Sequence, residues 1–365
     1  MKYLKEQKKL QDRIALLLPY KENFSNDNFG SVSLFVNDLN KSSKYRNLLD
    51  IYGNTDLSPI KGFNYYNLEN SFMHRLGRNK YHTKLFIKKI KSNNAIKLVE
   101  IHNRPLSVIT IKKKLPKLKI IFYYHNDPLS MKGYISSEKR KKILDSCEII
   151  YFVSNYLRKQ FLNNLKISSN DNKKLLTLYN GSHPEKKINA NRKKNIVFVG
   201  RLEKNKGFFL FLDAAYKILK EFPEWRVDIF GSSNKGIVFE SKNLNLKYYG
   251  HIKNTKVLKY LSKSSISVIP AIWNEPFGRT LVESINAGCA VISSQKGGLS
   301  EISKYFKLVK LRNPSKITIY NALKKLIMSP DEIQTLQSNS IKNTPFNLKN
   351  ITNHHDKKRS LFVSK

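Results

Sequence analysis

The strongest constraint on this chain is its rhythm: short, nearly continuous apolar runs alternate with longer stretches of helical spacing. The candidate strands in the first half are Ile14–Leu18, Lys97–Ile101, Lys119–Tyr124, Glu148–Val153 and Leu175–Leu178. In the second half they are Asn195–Val199, Arg226–Phe230, Leu246–Tyr249, Ser265–Ile269, Ala290–Ser293 and Lys307–Val309. Between Phe208 and Phe222, the residues Phe208, Phe211, Leu212, Ala215, Ile218 and Leu219 fall on one helical face. Strands that are apolar on both faces and alternate with helices predict α/β layers around parallel sheets. The pattern runs, pauses over the polar stretch from Asn180 to Lys194, and restarts. We therefore expect two Rossmann-like domains, residues 1–187 and 188–342, and a basic C-terminal tail over 343–365. The chain after Pro330 should begin with a short helical segment that Pro345 breaks.

Composition narrows the class further. The chain has 365 residues, enough for two cores, and 40% of them are apolar. No apolar run approaches the roughly 18 residues of a membrane span. The charged opening lacks the apolar stretch of a signal peptide, so a cytoplasmic location is expected. Cys147 and Cys289 are too few for a disulfide framework or a four-ligand zinc site and read as core thiols. Lys and Arg number 67 against 27 acidic residues, a net charge of +40. The excess is uneven. Residues 70–142 hold 19 basic and 3 acidic side chains, whereas residues 1–69 hold 10 and 8. Lys112, Lys113, Lys114, Lys141 and Lys142 lie in its densest parts. A polyanionic partner follows: an anionic membrane surface, nucleic acid or an acidic saccharide.

Ligands of open parallel sheets sit at the carboxyl ends of the strands, so the residues there are read for chemistry. Gly200-Arg201 and Lys206-Gly207 follow one strand. A glycine lets a ligand approach the backbone, and two cations before a helix suit a diphosphate. This is not a P-loop, because Ile237 stands where the lysine after Gly231 and Gly236 should be. Gly231, and Gly250 with His251, follow the next two strands. Glu275-Pro276-Phe277-Gly278-Arg279-Thr280-Leu281-Val282-Glu283 follows a buried strand, with a helix expected to begin between Phe277 and Thr280. The open N–H groups of that helix start favour a phosphate. Glu275 and Glu283 flank it and can accept hydrogen bonds from sugar hydroxyls. In the first half, Gly30 follows the first strand, and His102-Asn103-Arg104 and His125 follow two others.

The order Gly-Arg-Leu-x-x-x-Lys-Gly, Glu-Pro-Phe-Gly-x-x-x-x-Glu, Ala-Gly-Cys-Ala-Val-Ile and Gly-Gly-x-x-Glu resembles the donor half of the retaining GT-B glycosyltransferases of family 4. The likeness is closest over residues 195–302, and the His-Asn-Arg-Pro and His-Asn-Asp-Pro phrases look like bacterial enzymes of lipopolysaccharide and envelope-glycan assembly. It implies two Rossmann-like domains facing each other across a cleft, and transfer of a hexosyl unit from a nucleoside diphosphate sugar, such as a UDP-sugar, to a glycan or glycolipid hydroxyl with retention. It also implies catalytic roles for His125, Arg201, Lys206 and Glu275. Gly30, Gly200, Gly231, His251, Phe277, Gly278, Thr280, Leu281 and Glu283 would join Arg201 and Lys206 at the donor. His102, Asn103 and Arg104 would meet the acceptor. Where many relatives carry two glycines after the first strand, Asn28-Phe29-Gly30-Ser31 has one.

The sequence has no Asp-x-Asp, so metal-independent transfer is expected, with no cofactor beyond the nucleotide-sugar co-substrate. The basic excess fits peripheral docking on the inner face of the cytoplasmic membrane. Two rival readings remain. Tyr216 and Lys220 form the Tyr-x-x-x-Lys of a short-chain epimerase or dehydrogenase, but no Gly-x-Gly-x-x-Gly follows the first strand. A nucleic-acid- or polyanion-binding protein without catalysis fits a pI near 10.0, although no recognised nucleic-acid module is present.

Overall fold

The computed structural model describes residues 11–25, 30–55, 58–68, 77–184, 192–232 and 244–364. The charged opening as far as Leu10, Asn28 and Phe29, the linker's 185–191 and the stretch with Gly236 and Ile237 lie outside the described residues. The chain divides into two compact units. The first holds residues up to Phe152, Arg158–Leu178 and the chain from Thr352 on; the second holds Val153–Leu157 and Tyr179–Ile351.

Among the described residues the first unit has seven strands and the second six; those of the first are β1 (Arg13–Leu17), β2 (Leu49–Gly53), β3 (Asn64–Asn67), β4 (Ile96–His102), β5 (Lys119–Tyr124), β6 (Ile149–Phe152) and β7 (Leu175–Thr177). Their order is β3-β2-β1-β4-β5-β6-β7, and every pairing is parallel. The second unit has six: β8 (Lys193–Val199), β9 (Arg226–Phe230), β10 (Leu246–Tyr248), β11 (Ser264–Ile269), β12 (Ala290–Ser294) and β13 (Val309–Leu311), in the order β10-β9-β8-β11-β12-β13. These pairings too are all parallel. Each sheet reverses strand order once, between β1 and β4 and between β8 and β11, and a doubly wound sheet binds ligands at that switch.

The expected strands are present, the last of them two residues later than read. The two that periodicity did not reveal, β2 and β3, have physical reasons for hiding. Asp50 interrupts the apolar run of β2. It is tolerated in the interior because the Arg13 guanidinium pairs with it through Nε at 2.6 Å and through Nη2. β3 is an edge strand, Asn-Tyr-Tyr-Asn, and three of its four residues are exposed. The helix expected over Phe208–Phe222 runs from Phe208 to Glu221. It packs Phe208, Phe211 and Ile218 into a core with Phe198, Trp225 and Leu323. Both cysteines are buried free thiols.

The expected tail differs most. After the helix Pro330–Gln337, a further helix spans Leu348–Arg359 and belongs from Thr352 onward to the first unit. Its Arg359 is fully buried and forks onto Glu100 of β4 with two 2.7 Å bonds. Asp356 accepts from the Ser43 hydroxyl at 2.6 Å and the Lys44 amide at 2.9 Å. The charges that mark these residues as a solvated tail in sequence find hydrogen-bond and ionic partners some 260–310 residues away.

Candidate active site

In the second unit, the carboxyl ends of β8, β9 and β10 are laced together through glycines. The Gly200 amide donates to Phe230 O at 2.9 Å, and the Gly231 amide donates to Gly250 O at 2.9 Å. Gly231 has φ +137°, and a Cβ there would lie 1.9 Å from Gly200 O, so no side chain fits between the two loops. Tyr248 completes the lacing, its hydroxyl donating to Gly231 O at 2.9 Å. His251 is exposed beside this rim.

Two cations were expected to act together, but the fold sends them to different carboxylates. Arg201 stays half-exposed and donates to Glu203 at 3.1 Å. Lys206 crosses to the loop after β11, where its ammonium meets Glu275 Oε1 at 2.5 Å. The same oxygen accepts from Trp273 Nε1 at 2.7 Å, and the Lys206 ammonium lies 5.1 Å from the centre of the Trp273 ring. The Glu275 backbone is fixed as well, since its carbonyl accepts from the Gly298 amide at 2.7 Å. Glu275 is thus a buried carboxylate with a defined geometry. Trp273, two residues upstream, had no place in the sequence motif, although its polar N–H on a large ring is the kind of donor that orients a buried acid.

The helix predicted to start between Phe277 and Thr280 runs over Arg279–Asn286, with Gly278 before it at φ +115°. Thr280 stands in its first turn. Phe277 and Leu281 turn inward. The Phe277 ring packs against both Tyr179 and Phe346, with centroids 6.0 Å from each, and Leu281 is fully buried. The Leu281 amide, expected to face a phosphate, donates to Gly278 O at 3.0 Å and closes the opening turn instead. Glu283 is buried one turn further on, where its Oε1 accepts from Arg279 Nε at 2.7 Å and Asn254 Nδ2 at 3.2 Å. The i,i+4 spacing of Arg279 and Glu283 is visible in sequence. Asn254, 29 residues away, is not.

Glu301 of the Gly-Gly-x-x-Glu phrase is a structural acid. One of its oxygens accepts from the Asn155 amide at 3.1 Å, the Asn155 side chain at 2.7 Å and the Tyr179 hydroxyl at 2.5 Å.

In the first unit, Gly30 precedes the helix Ser31–Lys41. The amides of Val32 and Ser33 both donate to Glu22 Oε1 at 2.9 Å, and a Cβ on Gly30 would overlap that carboxylate. The helix-start amides behind Gly30, a residue expected at the donor, are thus occupied by this chain's own acid. Burial, opposed by those two amides, holds the Glu22 carboxyl above its usual range.

His102 and His125 form a buried pair, His102 Nδ1 to His125 Nε2 at 2.9 Å. Burial pushes His125 down to about 3, and it pushes His102 well below its ordinary value, with the His125 charge as a smaller cause. Both rings are therefore neutral at pH 7, one donating and the other accepting. His102 also stacks on Tyr123, with ring centroids 4.3 Å apart. Asn103, held at φ +56°, accepts the amides of His125 at 3.0 Å and Asn126 at 3.2 Å. His102 and Asn103, expected at the acceptor, are buried and committed to His125 and its loop. Arg104 keeps a half-buried place, bonded to Asn79 at 3.1 Å and to the Asn103 carbonyl at 2.9 Å.

Known proteins resemble this chain in part of its sequence and in its fold. Residues 182–343 match the family model described as Glycosyl transferases group 1. A Bacillus subtilis protein named "Putative glycosyltransferase YtcC" is 28% identical over 239 residues, 57% of this chain and 58% of that protein. The chain thus spans less than two thirds of that curated relative. The solved structure of Anabaena HepE in complex with UDP and glucose superposes with a TM-score of 0.71 at 15% identity, covering 96% of this chain and 99% of that one. WaaG, a glycosyltransferase involved in lipopolysaccharide biosynthesis, does so with a TM-score of 0.64 at 14% identity, covering 96% of each. The fold is GT-B, two parallel-sheet α/β domains. The match to the family model is confined to residues 182–343.

Proposed function

We propose that the protein is an enzyme that moves a hexosyl unit from a nucleoside diphosphate sugar to a hydroxyl of a glycan or glycolipid, with retention at the anomeric carbon. The carrying observation is the buried Glu275, held by the half-buried Lys206 and Trp273 at the carboxyl end of the second sheet, beside the glycine rim. In this reading the C1–O bond breaks with its electron pair passing to the diphosphate, the acceptor oxygen bonds to C1 on the same face, and its proton passes to the leaving phosphate oxygen. Lys206, Arg201 and the start of the helix Arg279–Asn286 stabilise the growing negative charge. Glu275, already oriented, accepts hydroxyls of the sugar; Glu283 accepts those of the ribose. The family resemblance also implies a catalytic role for His125, whose ring is neutral in this fold.

The UDP in HepE supports a uridine donor, and WaaG supports an acceptor of lipopolysaccharide or another envelope polysaccharide. Among the described residues no helix is long and apolar enough to cross a membrane. The basic stretch carrying Lys112, Lys113, Lys114 and Lys142 would reach a lipid-linked acceptor by docking on anionic lipid, whereas Lys141 is already paired with Asp145 and Asp171. Each cation there is worth about 1 kcal/mol near the surface.

Calorimetry with UDP, GDP and ADP, followed by assay of nucleotide release from the matching UDP-, GDP- or ADP-glucose with and without EDTA, tests the reading. We expect one nucleotide to bind and its sugar to turn over without added metal. Absence of binding by all three removes the proposal.

A further inference from the structure

The second unit has another built cavity, away from the rim that carries Gly200 and Glu275. It encloses about 410 Å³ and is lined by residues of β8, β9 and the helix Asn254–Leu261. That volume is of the order found for small-molecule sites. Lys193 and Arg226 open β8 and β9, whereas Gly200 and Gly231 follow their carboxyl ends. At about 3.3 Å per residue, Lys193 lies roughly 20 Å along the strand from Gly200.

The lining combines three kinds of chemistry. Lys193, Arg226, Lys256, Lys259 and Lys263 surround the cavity, against the one carboxylate of Asp228. All five cations are exposed, so they can reach a ligand at the mouth. The floor is made of acceptors. Asn195 is buried, and its amide nitrogen is spent on Asp228 at 2.7 Å and Ser264 at 3.0 Å. Its Oδ1 is buried with no hydrogen-bond partner. Flipping the amide would set that oxygen against the Asp228 carboxylate, so the orientation is fixed and the oxygen needs a donor from elsewhere. Tyr249 and Tyr260 supply aromatic surface, with ring centroids 4.9 Å apart.

A bare phosphate would satisfy the cations but would leave Asn195 Oδ1 without a donor and would be repelled by Asp228. A neutral sugar would satisfy the floor but leave five cations unused. A sugar ring bearing an acidic group satisfies both. Its hydroxyls donate to Asn195 and Asp228, its carboxylate or phosphate meets the lysines, and its C–H face rests on a tyrosine. We propose that this cavity is a second saccharide site, taking an acidic sugar unit of a glycan. Such a site would hold a growing acidic chain on the enzyme while its end is extended elsewhere. The binding itself does not depend on the transferase reading.

The test titrates the full chain with hyaluronan tetrasaccharide, glucose 6-phosphate, chitotetraose and inorganic phosphate, each followed by calorimetry. The variant is Lys256→Gln/Lys259→Gln/Lys263→Gln, whose exposed positions leave the fold intact. Lys113→Gln/Lys114→Gln/Lys142→Gln removes the same charge from the other unit. We expect saturable binding of at least one acidic sugar, weakened about tenfold or more in the first variant and changed less than about twofold in the second. Chitotetraose and phosphate should bind about tenfold more weakly than the acidic sugar. UDP affinity should be the same in all three proteins, which separates failure here from failure at the nucleotide rim.

Three results would overturn the proposal. One is no saturable binding of either acidic sugar up to about 10 mM. Another is phosphate binding as tightly as the sugars, or equal loss in both variants. The third is capture by phosphatidylglycerol vesicles through Lys256, Lys259 and Lys263 without sugar binding, which would make this face a lipid contact.

Discussion

Each unit sets a helix behind a glycine near the carboxyl end of a strand, and the two helix starts have opposite electrostatic fates. Behind Gly30, the amides of Val32 and Ser33 are occupied by Glu22, an acid from the same unit. Behind Gly278, the neighbouring acids Glu275 and Glu283 are each held by a cation, Lys206 and Arg279. A helix start attracts an anion in either setting. Which anion it attracts depends on what the rest of the fold delivers. The contrast extends to the interiors. The first unit buries His82, His102, His125 and His355 together with the Glu100–Arg359 pair. In the second unit, the acids and cations of the candidate active site, Glu275 and Glu283 with Lys206 and Arg279, stand around the loop after β11 and the helix that follows it.

Four experiments probe this contrast. The largest effect should follow Arg359→Met, which strands Glu100 without its cation. Removing one partner of a buried pair costs about 3–5 kcal/mol. Hydrogen exchange should then rise in β1–β7 while β8–β13 change little. The double variant Glu100→Gln/Arg359→Met should recover much of the loss. Equal weakening of both sheets would show that the C-terminal helix supports the whole chain rather than one unit.

Acid should separate the units next. His82 is pushed down to about 4 and His125 to about 3, both mainly by burial, while the unfolded chain protonates near 6.5. The folded state therefore binds fewer protons, and stability is lost as pH falls below 6.5 towards these values. By pH 5 these two histidines together cost about 4 kcal/mol. Unfolding of β1–β7, followed by exchange between pH 7 and 5, should show this loss, and Phe in place of His82 should remove part of it. A matching loss in β8–β13 would break the contrast.

The third effect concerns chemistry. Lys206→Ala should cost about 2–4 kcal/mol of transition-state stabilisation, read as kcat/KM for nucleotide-sugar turnover. His102→Gln, acting only through His125, should cost less and should leave nucleotide binding unchanged. Near-normal turnover in Lys206→Ala would take the lysine out of the site.

The smallest effect is at Glu22. A carboxyl whose folded pKa is raised adds stability at low pH and loses it as pH climbs through that raised value. Glu22→Gln keeps an acceptor for the two amides and does not titrate. Its stability relative to wild type should therefore improve as pH rises above the ordinary carboxylate value, whereas Glu22→Ala should lose about 1 kcal/mol as a missing cap. A Gln variant that weakens with rising pH would mean that Glu22 is held there as a needed anion.

Local pattern was enough for much of this molecule. Apolar runs set β1 and β4–β12 to within a residue or two at most ends, because a strand covered on both faces must be apolar along its length. The spacing of Glu275 and Glu283 and the glycines after β8 and β9 were equally legible, since a helix start and a close backbone approach each demand a residue type at a fixed offset. Tertiary structure alone decided the partners. It turned Lys206 to Glu275 and Arg201 to Glu203, brought Asn254 to Glu283, filled the Gly30 helix start with Glu22, and buried His102 against His125. It also took a basic segment that looks solvated and drove Arg359 into the first unit's core. Such choices join residues far apart in the chain. A charge tolerates burial only where a matching partner arrives, and no local periodicity records that arrival.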